Sequence, residues 1–211
     1  MIQLEATQRS DILKSAEPNR KKKAKRIAVK IQEPSYRNKA TLNRWFVEDD
    51  YLQITAQACD RSSGSGEWHT INIAFKGILK NLIDIVERDE EHLVTRDTVR
   101  KAISRTFNKY TPLYYSCDCR DFSYRLRYYA TSTNSVIGSR ETRKPKITNP
   151  DNNIGCQCKH LLALTTNKEL LRRSVVTQVL KYIENNYYEI LDKYNLDKSE
   201  FIFVNRRNNK H

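Results

Sequence analysis

A chain of 211 residues can hold one domain, or one domain with appendages. Hydrophobic residues make up 38% and charged residues 30%, so the core is modest beside the surface; five glycines and five prolines argue against a wholly disordered or collagen-like chain, and no apolar run approaches the ~20 residues of a membrane span. A net charge of +13 suits a polyanion or an acidic protein as partner, and five cysteines, an odd count, fit a reducing cytosol better than a disulfide framework.

Met1 to Glu5 lacks a basic start followed by an apolar region, so it does not read as a secretory signal. Residues 1–19 are polar, and Arg20, Lys21, Lys22, Lys23, Lys25 and Arg26 form a charge run. Like charges at this density resist packing by themselves. We therefore expect residues 1–26 to be an extended basic arm, either solvated or lying on nucleic acid or an acidic subunit. Ile27, Val29 and Ile31 alternate with Ala28, Lys30 and Gln32, which predicts a strand that ends at Glu33-Pro34-Ser35. Trp45 and Phe46 are candidate core or interface anchors. Alternation returns at Leu52, Ile54, Ala56 and Ala58, and again at Ile71, Ile73 and Phe75. A Gly/Ser-rich tip joins the two, which predicts an antiparallel hairpin. His69 has no partner nearby in sequence and reads as packing or surface.

Gly77 opens a predicted helix with Ile78, Leu79, Leu82, Ile83 and Val86 at helical spacing. Thr95 is the expected N-cap of a second helix, which turns Val99, Ala102, Ile103 and Phe107 inward. Leu113, Tyr114 and Tyr115 form a short strand. Asp121 is expected to cap a helix running to about Tyr129. Its Tyr124, Arg125, Arg127, Tyr128 and Tyr129 suit base stacking and phosphate pairing, or a protein interface. Residues 130–156 read as a long loop rich in Ser, Thr, Asn and Pro and containing Arg140, Arg143, Lys144 and Lys146. A helix from Lys159 through Thr166 follows. Further helix carries Leu170, Leu171, Val175, Val179, Leu180, Ile183, Tyr187, Ile190 and Leu191, with breaks expected near Arg173 and Asn185-Asn186. Phe201 to Val204 is a short strand or anchor. The expected organisation is α+β: an arm (1–26), then one domain (27–211) with a β-rich part (27–76), a helical part (77–199) and a tail (200–211).

Cysteine spacing supplies the chemistry. Cys117 and Cys119 make one C-x-C pair, and Cys156, Cys158 and His160 arrive together later. Alternate residues of an extended chain face the same way, so each pair can present two ligands from one side. A structural zinc site takes four Cys or His ligands as a tetrahedron with no open position. Five candidates cluster in two places, whereas scattered buried thiols would not pair in this way. Cys117, Cys119, Cys158 and His160 are the preferred set, and Cys156 in place of His160 is the rival. A site containing histidine tilts towards Zn(2+) over iron.

The pattern C-x-C…C-x-H resembles the SWIM-type zinc finger. The wider string Cys117-Asp118-Cys119-Arg120-Asp121-Phe122, Tyr124-Arg125, Ile147-Thr148-Asn149-Pro150, Gly155 and Cys158-Lys159-His160-Leu161-Leu162-Ala163-Leu164 resembles virion proteins of tailed bacteriophages, including a neck ring protein of crAss-like phages. Cys156 departs from that pattern. The resemblance spans roughly residues 112–166. It implies one structural Zn(2+), a homo-oligomeric ring joining portal to tail, contact with other virion proteins, assembly from protein made in the host cytoplasm, and no membrane. Passing DNA is a further potential contact. The alternative it leaves is a SWIM-type nucleic-acid-binding protein. No Gly-rich phosphate loop, Ser-His-Asp spacing or His-Glu-x-x-His occurs, and Glu141 lacks the context of a deaminase glutamate, so catalysis is not expected.

Overall fold

Ile54, Ala56 and Ala58 turn inward from β3 (Tyr51–Asp60), and Ile71, Ile73 and Phe75 from β4 (Trp68–Lys76). The two strands pair antiparallel with Ile54 opposite Ile73 and Ala56 opposite Ile71, so both apolar rows share one face. The computed structural model describes residues 18–31, 35–37, 51–60, 66–107, 113–145, 157–166 and 168–204. The hairpin predicted from alternation is present, and its tip lies mostly outside the described residues, as do Trp45 and Phe46.

The sheet is wider than a hairpin. β1 (Ile27–Ile31) and β2 (Ser35–Arg37) both pair antiparallel with β3, and β6 (Leu113–Cys117) pairs antiparallel with β4. The expected division into a β-rich 27–76 and a helical 77–199 is thus crossed by a sheet strand drawn from the second part. The inner face of β6 carries Leu113, Tyr115 and Cys117, opposite Phe75, Ile73 and Ile71. On the other face Asn72 accepts from Thr55 at 2.8 Å and donates to Ser116 at 3.3 Å, a polar row across three strands.

Helices cover the apolar face, as a one-sided sheet requires. Gly77 sits at φ 79°, the left-handed conformation that only glycine adopts freely, and turns β4 directly into α2 (Ile78–Val86). Ile78, Leu79, Leu82, Ile83 and Val86 are all buried, as their spacing predicts. Thr95 caps α3 (Arg96–Thr106) through a full capping box with Thr98, and Val99, Ala102, Ile103 and Phe107 are buried. Between the two helices lies β5 (Leu93–Val94), which pairs in parallel with the late strand β7 (Ile202–Phe203).

Three differences from the sequence reading concern the middle of the chain. Asp121 makes no cap hydrogen bond; it lies within a helical turn, and Phe122–Leu126 form a π-helix that passes into α4 (Arg127–Ser132). Ser135 and Ile137 are not free loop. The Ser135 carbonyl accepts from Tyr115 N–H at 2.7 Å and Ile137 N–H donates to the Tyr115 carbonyl at 3.0 Å, so the chain lies along the outer edge of β6. Residues 146–156 of the long loop lie outside the described residues. No break occurs at Arg173, since α6 (Lys168–Asn185) runs through it. Asn186 does separate α6 from α7 (Tyr187–Tyr194), as expected.

The N-terminal boundary also differs. Pro18–Ala24 form a helix, α1, with Ala24 buried, packed against α5 (Lys159–Thr166). The basic run at 20–26 is therefore a docked element continuous with β1, and the expected arm is limited at most to residues before it, which lie outside the described residues. Among the described residues, no helix is long and apolar enough to cross a membrane.

Candidate metal centre

The inner end of β6 and the start of α5 meet at one buried point. Cys117 ends the strand on its core-facing side, and Cys119 follows after one exposed residue. Cys158 directly precedes α5, where its carbonyl accepts the first helical bond from Leu162 N–H at 3.0 Å. His160 is the second residue of that helix. One ligand atom from each of Cys117, Cys119, Cys158 and His160 lies within 4.8 Å of every other, and all four side chains are buried. Cys117 Sγ stands 4.0 Å from His160 Nδ1. A tetrahedron with zinc-like bond lengths has edges of about 3.6–3.8 Å, so a small contraction closes this set around an ion. These four residues can hold a metal ion. Cys156, the rival ligand, lies outside the described residues.

Electrostatics in the cluster are uneven. Cys119 is held well below the ordinary thiol range because the Cys117 and Cys158 side chains hydrogen-bond to it, with Phe122 N–H adding a bond at 3.4 Å. Cys117 is pushed up, chiefly by its hydrogen bond to Cys119, and Cys158 is pushed up first by burial. Of the three sulfurs, Cys119 is thus the one whose surroundings favour the thiolate. A divalent cation at the centre would displace the shared protons and take all three as thiolates. The first turn of α5 adds backbone N–H groups on the same side, which favours that charge.

Two supports around the ligands were not visible in the local sequence. His69, at the start of β4, shares the inner sheet face with Ile71, and its ring lies 4.5 Å from that of His160. Its Nδ1 is 3.1 Å from Asp118 Oδ1; since a carboxylate only accepts, Nδ1 carries the proton. The other Asp118 oxygen accepts from Thr70 N–H at 2.9 Å, and Asp118 N–H donates to the Thr70 carbonyl at 3.2 Å. The residue between the two cysteines is thus clamped to β4 from both its backbone and its side chain. The reading of His69 as packing missed this because its partner lies 49 residues downstream.

The second support is Arg20 from α1. It donates through Nη1 to the Gln157 carbonyl at 3.2 Å and pairs with Asp121 at 4.0 Å, with a side chain only 11% exposed. Gln157 adjoins Cys158, and Asp121 is two residues past Cys119, so one guanidinium bridges both halves of the ligand set. Asp121 is also paired with Arg125. Much of the expected basic-aromatic mixture is spent internally. Arg127 lies over the Phe122 ring at 5.9 Å and donates to Ser139, and Tyr129 is buried. Tyr124 stands out in solvent at 77% exposure.

Comparisons of the chain with protein-family models, with curated proteins and with solved structures find no match.

Proposed function

We propose that this chain is a structural virion protein of a tailed bacteriophage: one subunit of a ring in the neck, joining portal to tail and stiffened by one Zn(2+). The observation that carries the reading is the closed ligand set. Cys117, Cys119, Cys158 and His160, which carry the C-x-C…C-x-H resemblance, can hold an ion from four buried positions with none left over for a substrate. When bound, such an ion acts as a crosslink. The residues do the remaining work: Asp118 and Arg20 brace the two knuckles, and the core continues unbroken from the cysteines into the sheet. Exposed Trp68, Tyr124 and Tyr188 offer the aromatic anchors that subunit interfaces favour. A head-to-tail interface between such subunits closes into a ring when its rotation divides a full turn evenly.

Mass spectrometry of purified particles tests the role directly, by finding this chain at the abundance of a ring component. A monomer with no affinity for portal or tail proteins would remove it. Elemental analysis tests the metal and should return one zinc per chain.

A second reading, a SWIM-type nucleic-acid-binding protein, is favoured by the exposed lysines of α1 and the net charge of +13. Titration against duplex DNA over a salt series tests it, because phosphate contacts release counterions and make log K fall linearly with log salt, with a slope in proportion to their number.

A further inference from the structure

We propose that α1 and the turn after it form a phosphate-backbone-binding surface, with Lys21, Lys22, Lys23, Lys25 and Arg26 as the contacts and double-stranded nucleic acid, read without regard to sequence, as the ligand. This rests on the second reading above and names the surface that carries it.

Helical spacing divides the run into two uses. Arg20 and Ala24 stand four residues apart on one face, and that face is the docked one: Ala24 enters the core and Arg20 is consumed by Gln157 and Asp121. The remaining five cations, three on the helix and two in the turn after it, are exposed. Among the described residues, two carboxylates beside α1 and β1 are already committed. Asp121 is shared by Arg20 and Arg125, and Asp60, opposite Ile27 across the sheet edge, is paired with Lys159. Among the described residues no acidic side chain pairs with Lys21, Lys22, Lys23, Lys25 or Arg26. A run that would repel itself apart in solution is therefore fastened to the core by Arg20 and Ala24, with its other charges unpaired among the described residues.

The kind of partner follows from what the surface lacks. The exposed part of 18–26 is Pro18, Asn19 and five cations, with no aromatic or large aliphatic anchor. Protein interfaces are depleted in lysine and depend on such anchors, whereas phosphate contacts need no such anchor and lysine and arginine are prominent among the groups that make them. A short rigid row of cations matches the closely spaced charge of a duplex backbone. Because the row is pre-ordered, binding does not have to order a flexible arm first.

The experiment uses the full metal-loaded chain and a duplex DNA of arbitrary sequence, with affinity measured by fluorescence anisotropy at several salt concentrations. Three proteins are compared: the unaltered chain; a patch variant, K21A/K22A/K23A; and a control that removes the same charge from other faces, K80A/K101A/K181A, whose residues are also exposed. Metal content and circular dichroism verify that each is folded. The expected result is a slope of log K against log salt that is shallower by about 2–3 in the patch variant and near the unaltered value in the control. Unchanged slope in the patch variant overturns the surface while leaving nucleic-acid binding standing. Equal loss in both variants overturns it in favour of diffuse charge. Absence of binding by the unaltered chain removes both the surface and the reading beneath it.

Discussion

His160 and Cys156 can be separated by single substitutions. If the buried set is the working one, His160→Ala loses the metal and Cys156→Ser keeps it, as read by metal content per chain. Zinc binding contributes roughly 10–16 kcal/mol in small zinc-dependent peptides, comparable with or above the whole stability of a domain. His160→Ala should therefore lower and broaden the thermal transition strongly, with the β3–β4 core the part that stays folded longest. Asp118 has a subtler part. Asp118→Asn keeps the shape but weakens the hold on His69 and Thr70, and supporting residues of this kind are typically worth roughly 10–100-fold in metal affinity. Competition against a chromophoric chelator should show that loss with the fold intact. The ligands themselves were legible because each pair is written within three positions, Cys117 with Cys119 and Cys158 with His160. Their supports were not. Arg20 meets the carbonyl of Gln157 across 137 positions, and nothing in a run of lysines distinguishes the one cation that turns inward.

Among the elements, α3 offers the cleanest local test. Thr95 accepts from Thr98 N–H at 3.2 Å, and Thr98 Oγ1 accepts from Thr95 N–H at 2.8 Å. Thr95→Ala should cost about 1 kcal/mol, or roughly 2–4 °C in Tm for a chain of this size, without changing metal content. That cap, the apolar stripe of α2 and the alternation in β3 and β4 all follow from neighbours within a few residues, which is why they could be read in advance. β6 could be read as a strand, yet its partner could not, since Cys117 meets Ile71 only after two helices intervene. The π-helix at Phe122–Leu126 has no signature in residue type. It begins where Cys119 takes the Phe122 N–H onto its sulfur and its own carbonyl accepts from Ser123, so the metal knuckle rather than helix propensity decides the local winding.

Across the whole molecule, the metal ligands tie the end of β6 to the start of α5, while α6 on α3 and β5 on β7 hold the C-terminal part independently, and the consequence is graded stability. Chelation should release hydrogen-exchange protection first in α5, in the turn after Cys119 and in α1, which depends on both through Arg20. The β3–β4 ladder, with Ile54, Ile71 and Ile73 fully buried, should keep protection longest. Simultaneous loss everywhere would mean that the ion supports the sheet as well. Arg20→Ala should mimic part of this, exposing Lys21 to Lys25 to trypsin while the metal is still bound. The wide separation of the two ligand pairs also matters before the fold exists. Synthesis at about 5–20 residues per second leaves Cys117 and Cys119 outside the ribosome for about 2–8 s before Cys158 and His160 emerge. During that interval two neighbouring thiols stand open to oxidants and to softer metals such as Cu(I). The fraction of chains correctly metallated then depends on the thiol poise and free copper of the cell during translation as well as on the affinity of the finished protein.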